Sequence, residues 1–166
     1  MGGRIDKFAI ASHSKTATLR GLLVMKMEIV ALCDAATDYG GKLNILGAFD
    51  CLWVRQLPAK HPMCAIALRL RFNRVEEGEH RLRVNFVDED GHLVMPSMDA
   101  TLGVRFNSDD DTSIANLVFN IQQLKLSKFG QYSIDIAIDG RMEASLPLQV
   151  KSSPAPSSQP EAPAGG

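Results

Sequence analysis

The chain has 166 residues, of which 45% are hydrophobic, 22% charged and 6% aromatic. That is enough for one soluble domain with a core and too little for two comfortable ones. A formal net charge of -1 argues for neither nucleic acid nor an anionic membrane as partner, and no run approaches the roughly 18 apolar residues of a membrane span.

The charge is unevenly spread. Residues 1–26 carry Arg4, Lys7, Lys15, Arg20 and Lys26 against Asp6. They are basic, acid-poor and rich in Ser and Thr, as targeting peptides are. The apolar run Leu22–Met25 is too short for a secretory core, so the segment reads as a disordered basic leader. Residues 27–150 are acidic overall and hold the patterned part of the chain. Residues 151–166, KSSPAPSSQPEAPAGG, lack large apolar side chains to offset the entropy of ordering, and read as a disordered Pro/Ser/Ala-rich tail.

Between these ends the period is two, the signature of half-buried strands. The first strand spans 27–34 and the second 43–54, separated by Tyr39-Gly40-Gly41-Lys42. Pro58 and Pro62 bracket the next break. In 64–73, Ile66, Leu68, Leu70 and Phe72 face one way, and Ala67, Arg69, Arg71 and Asn73 the other. Leu82, Val84 and Phe86 likewise alternate with Arg81, Arg83 and Asn85, before a turn at Asp90-Gly91. A strand at 102–106 leads to the acidic turn Asn107–Asp111. Residues 112–126 alternate as Ala115, Leu117, Phe119 and Ile121 and are read as a strand, although their composition also tolerates a helix.

The last two strands, 132–138 and 144–150, are joined through Asp139-Gly140, a strong signal for a two-residue type I′ hairpin. Pro147 requires an edge or a bulge. Many short strands without a long amphipathic helix predict an all-β fold. The expected form is an antiparallel β-sandwich of seven to eight strands, immunoglobulin-like or C2-like.

The stretch from Cys33 to Asp50, CDAATDYGGKLNILGAFD, resembles the opening of a bacterial domain family of unknown function. The run from Tyr132 to Arg141, YSIDIAIDGR, looks like that family's closing hairpin. The resemblance covers about 27–151 and implies a bacterial, compact β-rich domain. It brings no activity, cofactor or catalytic residue.

Three features could carry chemistry. If 64–73 and 80–88 form a hairpin, Arg69 and Arg71 face Arg83 and Arg81, and like charges on facing positions require an acid among them. That acid is either a neighbouring side chain or the acidic segment of a protein partner, since arginine forks suit carboxylates and phosphates. A sheet edge offers strand addition as another binding mode. Asp88-Glu89-Asp90 and Asp109-Asp110-Asp111 suggest either solvated turns or loops for calcium or another small ligand, although neither fits an EF-hand. The loop Asp34–Lys42, with Asp34, Asp38 and Tyr39 before two glycines, is a third candidate, for a ligand or simply a tight turn.

Catalysis finds little support. His13, His61, His80 and His92 are scattered, and no nucleophile elbow or phosphate loop occurs. Cys33, Cys51 and Cys64 form neither a C-x-x-C nor an even set, and read as small strand hydrophobes of a reducing, cytoplasmic protein. Trp53 is expected in the core. No catalytic residue, metal or cofactor is assigned. The chain reads as a non-catalytic interaction module with a protein partner or acidic ligand, without nucleic acid or membrane, and open to homo-oligomerisation.

Overall fold

A computed structural model describes residues 25–154. The expected leader falls outside them apart from Met25 and Lys26, and the expected tail falls outside them beyond Pro154. The domain reaches further at both ends than 27–150. Met25 is buried in the core, its N–H donating to Glu76 Oε1, and Lys151 and Ser152 belong to the last strand.

Among the described residues nine strands form two sheets. They are β1 (Lys26–Tyr39), β2 (Lys42–Ala48), β3 (Cys51–Val54), β4 (Ala59–Asn73), β5 (Gly78–Asp88), β6 (Met98–Val104), β7 (Thr112–Leu126), β8 (Gly130–Ile138) and β9 (Arg141–Ser152). The first sheet has the order β2-β1-β4-β7 and the second β3-β9-β8-β5-β6. All pairings are antiparallel except β3 with β9, which is parallel.

The ninth strand arises because the run read as 43–54 is cut at Phe49–Asp50. Phe49 still donates its N–H to Leu32 of the first sheet, while Gln149 donates to the Asp50 carbonyl. The chain therefore changes sheet there. The break expected between Pro58 and Pro62 closes before Ala59, so Pro62 lies inside β4. It falls outside the span paired with β1, and across the β7 pairing it is matched by Gln123, which has a positive φ of 52°. Pro147 likewise lies on β9 just ahead of the stretch paired with β3, where β9 is locally an edge.

The alternation translates directly into burial. Ile66, Leu68, Leu70 and Phe72 from β4 meet Leu82, Val84 and Phe86 from β5 and Ile134, Ile136, Leu148 and Val150 from β8 and β9 in one core. Each such fully buried side chain contributes about 1.5–3 kcal/mol relative to an exposed one. Residues 112–126 form a strand, with Ile121, Leu124 and Leu126 in the same core. At the closing hairpin, Asp139 and Gly140 both have positive φ (51° and 78°), as a type I′ turn requires.

A smaller cluster of Cys33, Ala65 and Ala67 stands apart from the main core. It is covered by Ala36, Leu43, Ile45 and Val118. Leu43 and Ile45 come from the far end of the β1–β2 hairpin. Its tip must therefore lean back across β4, and small residues at 33, 65 and 67 leave room for it. Gly40 and Gly41, with φ of 59° and 72°, close that tip.

Candidate functional site

The four arginines do not share a face. Arg69 and Arg71 lie on β4 in the first sheet, and Arg81 and Arg83 on β5 in the second. The hairpin expected between these strands is replaced by a crossing. A 3-10 turn at Arg74–Glu76 sends the chain from one sheet to the other, with Glu76 accepting from the Asn73 N–H at 2.9 Å. Alternation reveals which face a residue takes, but not which strand lies beside it.

On the first sheet the acid required among the arginines is intramolecular. Glu28 of β1 accepts from Arg69 Nε at 3.1 Å and from Arg71 Nε at 2.5 Å. The Arg71 hydrogen bond, helped by Arg69 and opposed by desolvation, holds the Glu28 carboxyl below its usual range. Arg71 also donates to Thr112, and Arg69 to Asn116 Oδ1. Asn116 in turn donates to Asp38 Oδ1 and to the Gly41 carbonyl. Glu28, Arg69 and Asn116 thus form a polar chain that pins the hairpin tip over the sheet. Both arginines are already satisfied.

The expected ligand loop Asp34–Lys42 is mostly strand, since β1 continues to Tyr39 and leaves only Gly40-Gly41 as the turn. Asp38 is spent on Asn116, Asp34 lies against Gly47, and Tyr39 projects from the tip with 81% exposure. The three residues therefore do not converge on a cavity.

The second sheet is different. Arg81, Arg83, Asp99, Thr101, Ala137 and Gly140 line a half-open concavity of about 500 Å³. Arg83 is held there by Asp99, through Nε–Oδ1 at 2.7 Å and Nη2–Oδ2 at 3.3 Å. That pairing lowers the Asp99 pKa and raises that of Arg83. The backbone of Arg81 is fixed to the turn, its N–H donating to Asp139 Oδ1 and its carbonyl accepting from the Asp139 N–H. Among the described residues its guanidinium has no hydrogen-bond or ion-pair partner. An exposed cation on a rigid backbone beside an oriented second arginine can receive a carboxylate.

Sequence reasoning missed the group that braces this corner. His80 shares the parity of Leu82, Val84 and Phe86, so it points inward and needs polar partners; that parity was the available signal. Its Nδ1 lies 2.7 Å from Asp139 Oδ2 and its Nε2 2.7 Å from the Glu76 carbonyl, with the ring 4.8 Å from that of Phe72. Both nitrogens face acceptors, which suits the doubly protonated ring. Burial works against that charge, but the bonds to Asp139 and Glu76 outweigh it and raise the His80 pKa. Asp139 shows the reverse balance: desolvation is outweighed by the Arg81 N–H and His80, and its pKa falls.

The acidic turns hold internal cations. Lys128 Nζ lies 3.2 Å from Asp88, 3.8 Å from Glu89 and 2.5 Å from Asp90. Asp88, Asp90 and His92 come close enough to share an ion, but the Lys128 ammonium already sits against both carboxylates. Arg74 Nη2 donates to the carbonyls of Asn107, Ser108 and Asp110, and so organises the second turn.

Cys33 and Cys64 are buried, and desolvation raises both thiols, Cys64 to about 11. Cys51 is half-buried. Trp53 is not in the core: it is 59% exposed on β3 with Lys151 Nζ 5.5 Å from its ring centre. Its parity on a four-residue edge strand sends it outward. Among the described residues no helix is long and apolar enough to cross a membrane.

A solved structure similar to this chain is the Pseudomonas fluorescens alkylpurine DNA glycosylase AlkC bound to DNA containing an abasic site analog. The two are 9% identical with a TM-score of 0.41, over 82% of this chain and 33% of that one. The chain thus spans about a third of the glycosylase chain, and a likeness this slight supports no functional argument. No curated protein matches the sequence. The family model that matches residues 28–151 takes in both the opening hairpin pinned by Asn116 and the closing hairpin that carries Asp139, and the chain accordingly belongs to DUF6941, a family of unknown function.

Proposed function

We propose that the domain is a non-catalytic interaction module, a β-sandwich of the immunoglobulin-like or C2-like kind, that binds an acidic protein segment in the Arg81/Arg83 concavity. The observation that carries this reading is the unpartnered guanidinium of Arg81. Of the four arginines only Arg81 has no side-chain partner among the described residues, and it lies in a concavity beside Arg83. The groups lining the concavity suit recognition. The Arg81 fork and the Thr101 hydroxyl offer donors, while Asp99 occupies the Arg83 fork, keeps that guanidinium oriented and would repel a misplaced carboxylate. Three free cysteines fit a reducing, cytoplasmic setting. The Asp88–Asp90 turn supports no second reading, because the Lys128 ammonium already sits against its carboxylates.

Titration calorimetry with an oligoglutamate peptide tests this reading. The full chain is expected to bind at low salt and to release the peptide as salt rises. Arg81→Glu is expected to weaken binding by about tenfold or more, or at least about 1.4 kcal/mol. Equal affinity of the two proteins would exclude the concavity as the binding face.

A further inference from the structure

We propose that the chain forms a two-fold dimer in which β7 pairs antiparallel with β7 of a second copy. β7 is an edge of the first sheet, and its 15 residues make it as long as any strand in the fold. Among the described residues its backbone pairs only with β4. Exposed edges are normally blunted by charge, proline, bulges or shortness.

The other edges show such devices. β3 has four residues, β6 carries the charged Asp99, and β2 has only seven residues, one of them Gly47 at positive φ, and folds back with its hairpin. β7 has neither charge nor proline from Thr112 to Leu124, and its backbone irregularity comes only at Gln123. Residues 112–122 are left as a regular, uncharged, open edge.

The ends of that edge select a second copy. The acidic turn Asp109–Asp111 precedes it and Lys125 follows. Asp109 and Lys125 have no ion-pair partner among the described residues. Antiparallel pairing brings the acidic turn of each copy beside Lys125 of the other, twice over. Parity then restricts the register. The apolar sides of both copies must face the same way, so a residue of even number opposes another of even number. With Leu117 on the dyad, Ala115 opposes Phe119 and Ser113 opposes Ile121 on the core side. Ile114 opposes Asn120 and Asn116 opposes Val118 on the outer side. The two first sheets become one continuous eight-stranded sheet.

Size-exclusion chromatography with light scattering on the full chain tests the proposal. The wild type is expected at the mass of a dimer. Ile114→Lys with Asn120→Lys sets like charges opposite each other on both sides of the dyad and is expected to give monomer with an unchanged circular dichroism spectrum. Ile114→Glu with Asn120→Lys sets opposite charges there and is expected to return the dimer. Both side chains are exposed, so neither variant empties the core. A monomeric wild type would overturn the proposal. So would a double-lysine variant that stays dimeric, or a Glu/Lys variant that stays monomeric.

Discussion

Replacing His80 by leucine is expected to destabilise the fold by about 1.5–3 kcal/mol in mildly acidic solution, and by progressively less as the solution becomes alkaline. The ring joins two places far apart in the chain, the Glu76 carbonyl after β4 and the Asp139 carboxylate in the β8–β9 turn. Leucine keeps the contact with Phe72 but leaves both acceptors without their donor. The sign of the pH dependence follows from linkage. His80 is raised above its usual 6.5, so its contribution is complete below 6.5, where folded and unfolded states are both protonated. It is lost as pH rises through the elevated native value, because one ring nitrogen then faces an acceptor without a proton. Asp139 has the opposite behaviour: its lowered pKa gives stability above 3.8 that disappears as pH falls through the native value. Urea midpoints for wild type and His80→Leu from about pH 5 to about pH 9 read the difference directly. A difference independent of pH would mean that His80 acts by packing alone.

Gly47→Ala is expected to cost about 1–3 kcal/mol. The residue has a φ of 64°, which a side chain rarely tolerates, and an added Cβ would collide with Asp34 Oδ2. Gly47 lies on β2 between Leu46 and Ala48, which pair with Ala35 and Cys33 in one continuous register. It belongs to the hairpin whose Leu43 and Ile45 cover Cys33, Ala65 and Ala67. Two contributions can be separated by a double-mutant cycle. In an Asp34→Ala background the collision with the carboxylate disappears, leaving backbone strain and a tight 3.3 Å approach to the Cβ of residue 34, so the same substitution should cost less. Thermal melts of the four proteins give the comparison, and equal costs in both backgrounds would mean that the collision with the carboxylate contributes nothing.

These two residues also mark where the sequence was readable and where it was not. The faces of β4, β5, β8 and β9 were legible from alternation, because burial enforces a period of two. The Asp139-Gly140 turn was legible because positive φ at consecutive positions narrows the choice of residues. The neighbours of β4 were not. Arg74–Gly78 reads as a hairpin turn, yet Glu76 is occupied with Asn73 and Met25, and the chain crosses to the other sheet. The postulated four-arginine face disappeared with that hairpin. Its logic survived on one side only, where Glu28 supplies the acid that Arg69 and Arg71 demand. Asp34 and Asp38 have structural places: Asp38 anchors a folded-back hairpin and Asp34 lies against Gly47, while Tyr39 is exposed at the tip. Trp53 was misplaced because its strand joins the edge of the second sheet, a pairing with β9 that lies about a hundred residues away and leaves no local signal.

In the proposed reading, Arg81 beside the Asp99-held Arg83 is available to an acidic partner, while Arg69 and Arg71 hold the first sheet together. Amide and guanidinium nitrogen chemical shifts during titration with an oligoglutamate peptide test it most directly. Perturbations confined to Arg81, Arg83, Asp99, Thr101, Ala137 and Gly140, with Arg69 and Arg71 unmoved, are the predicted result. Perturbations centred on Arg69 and Arg71, or none at low salt, would contradict it.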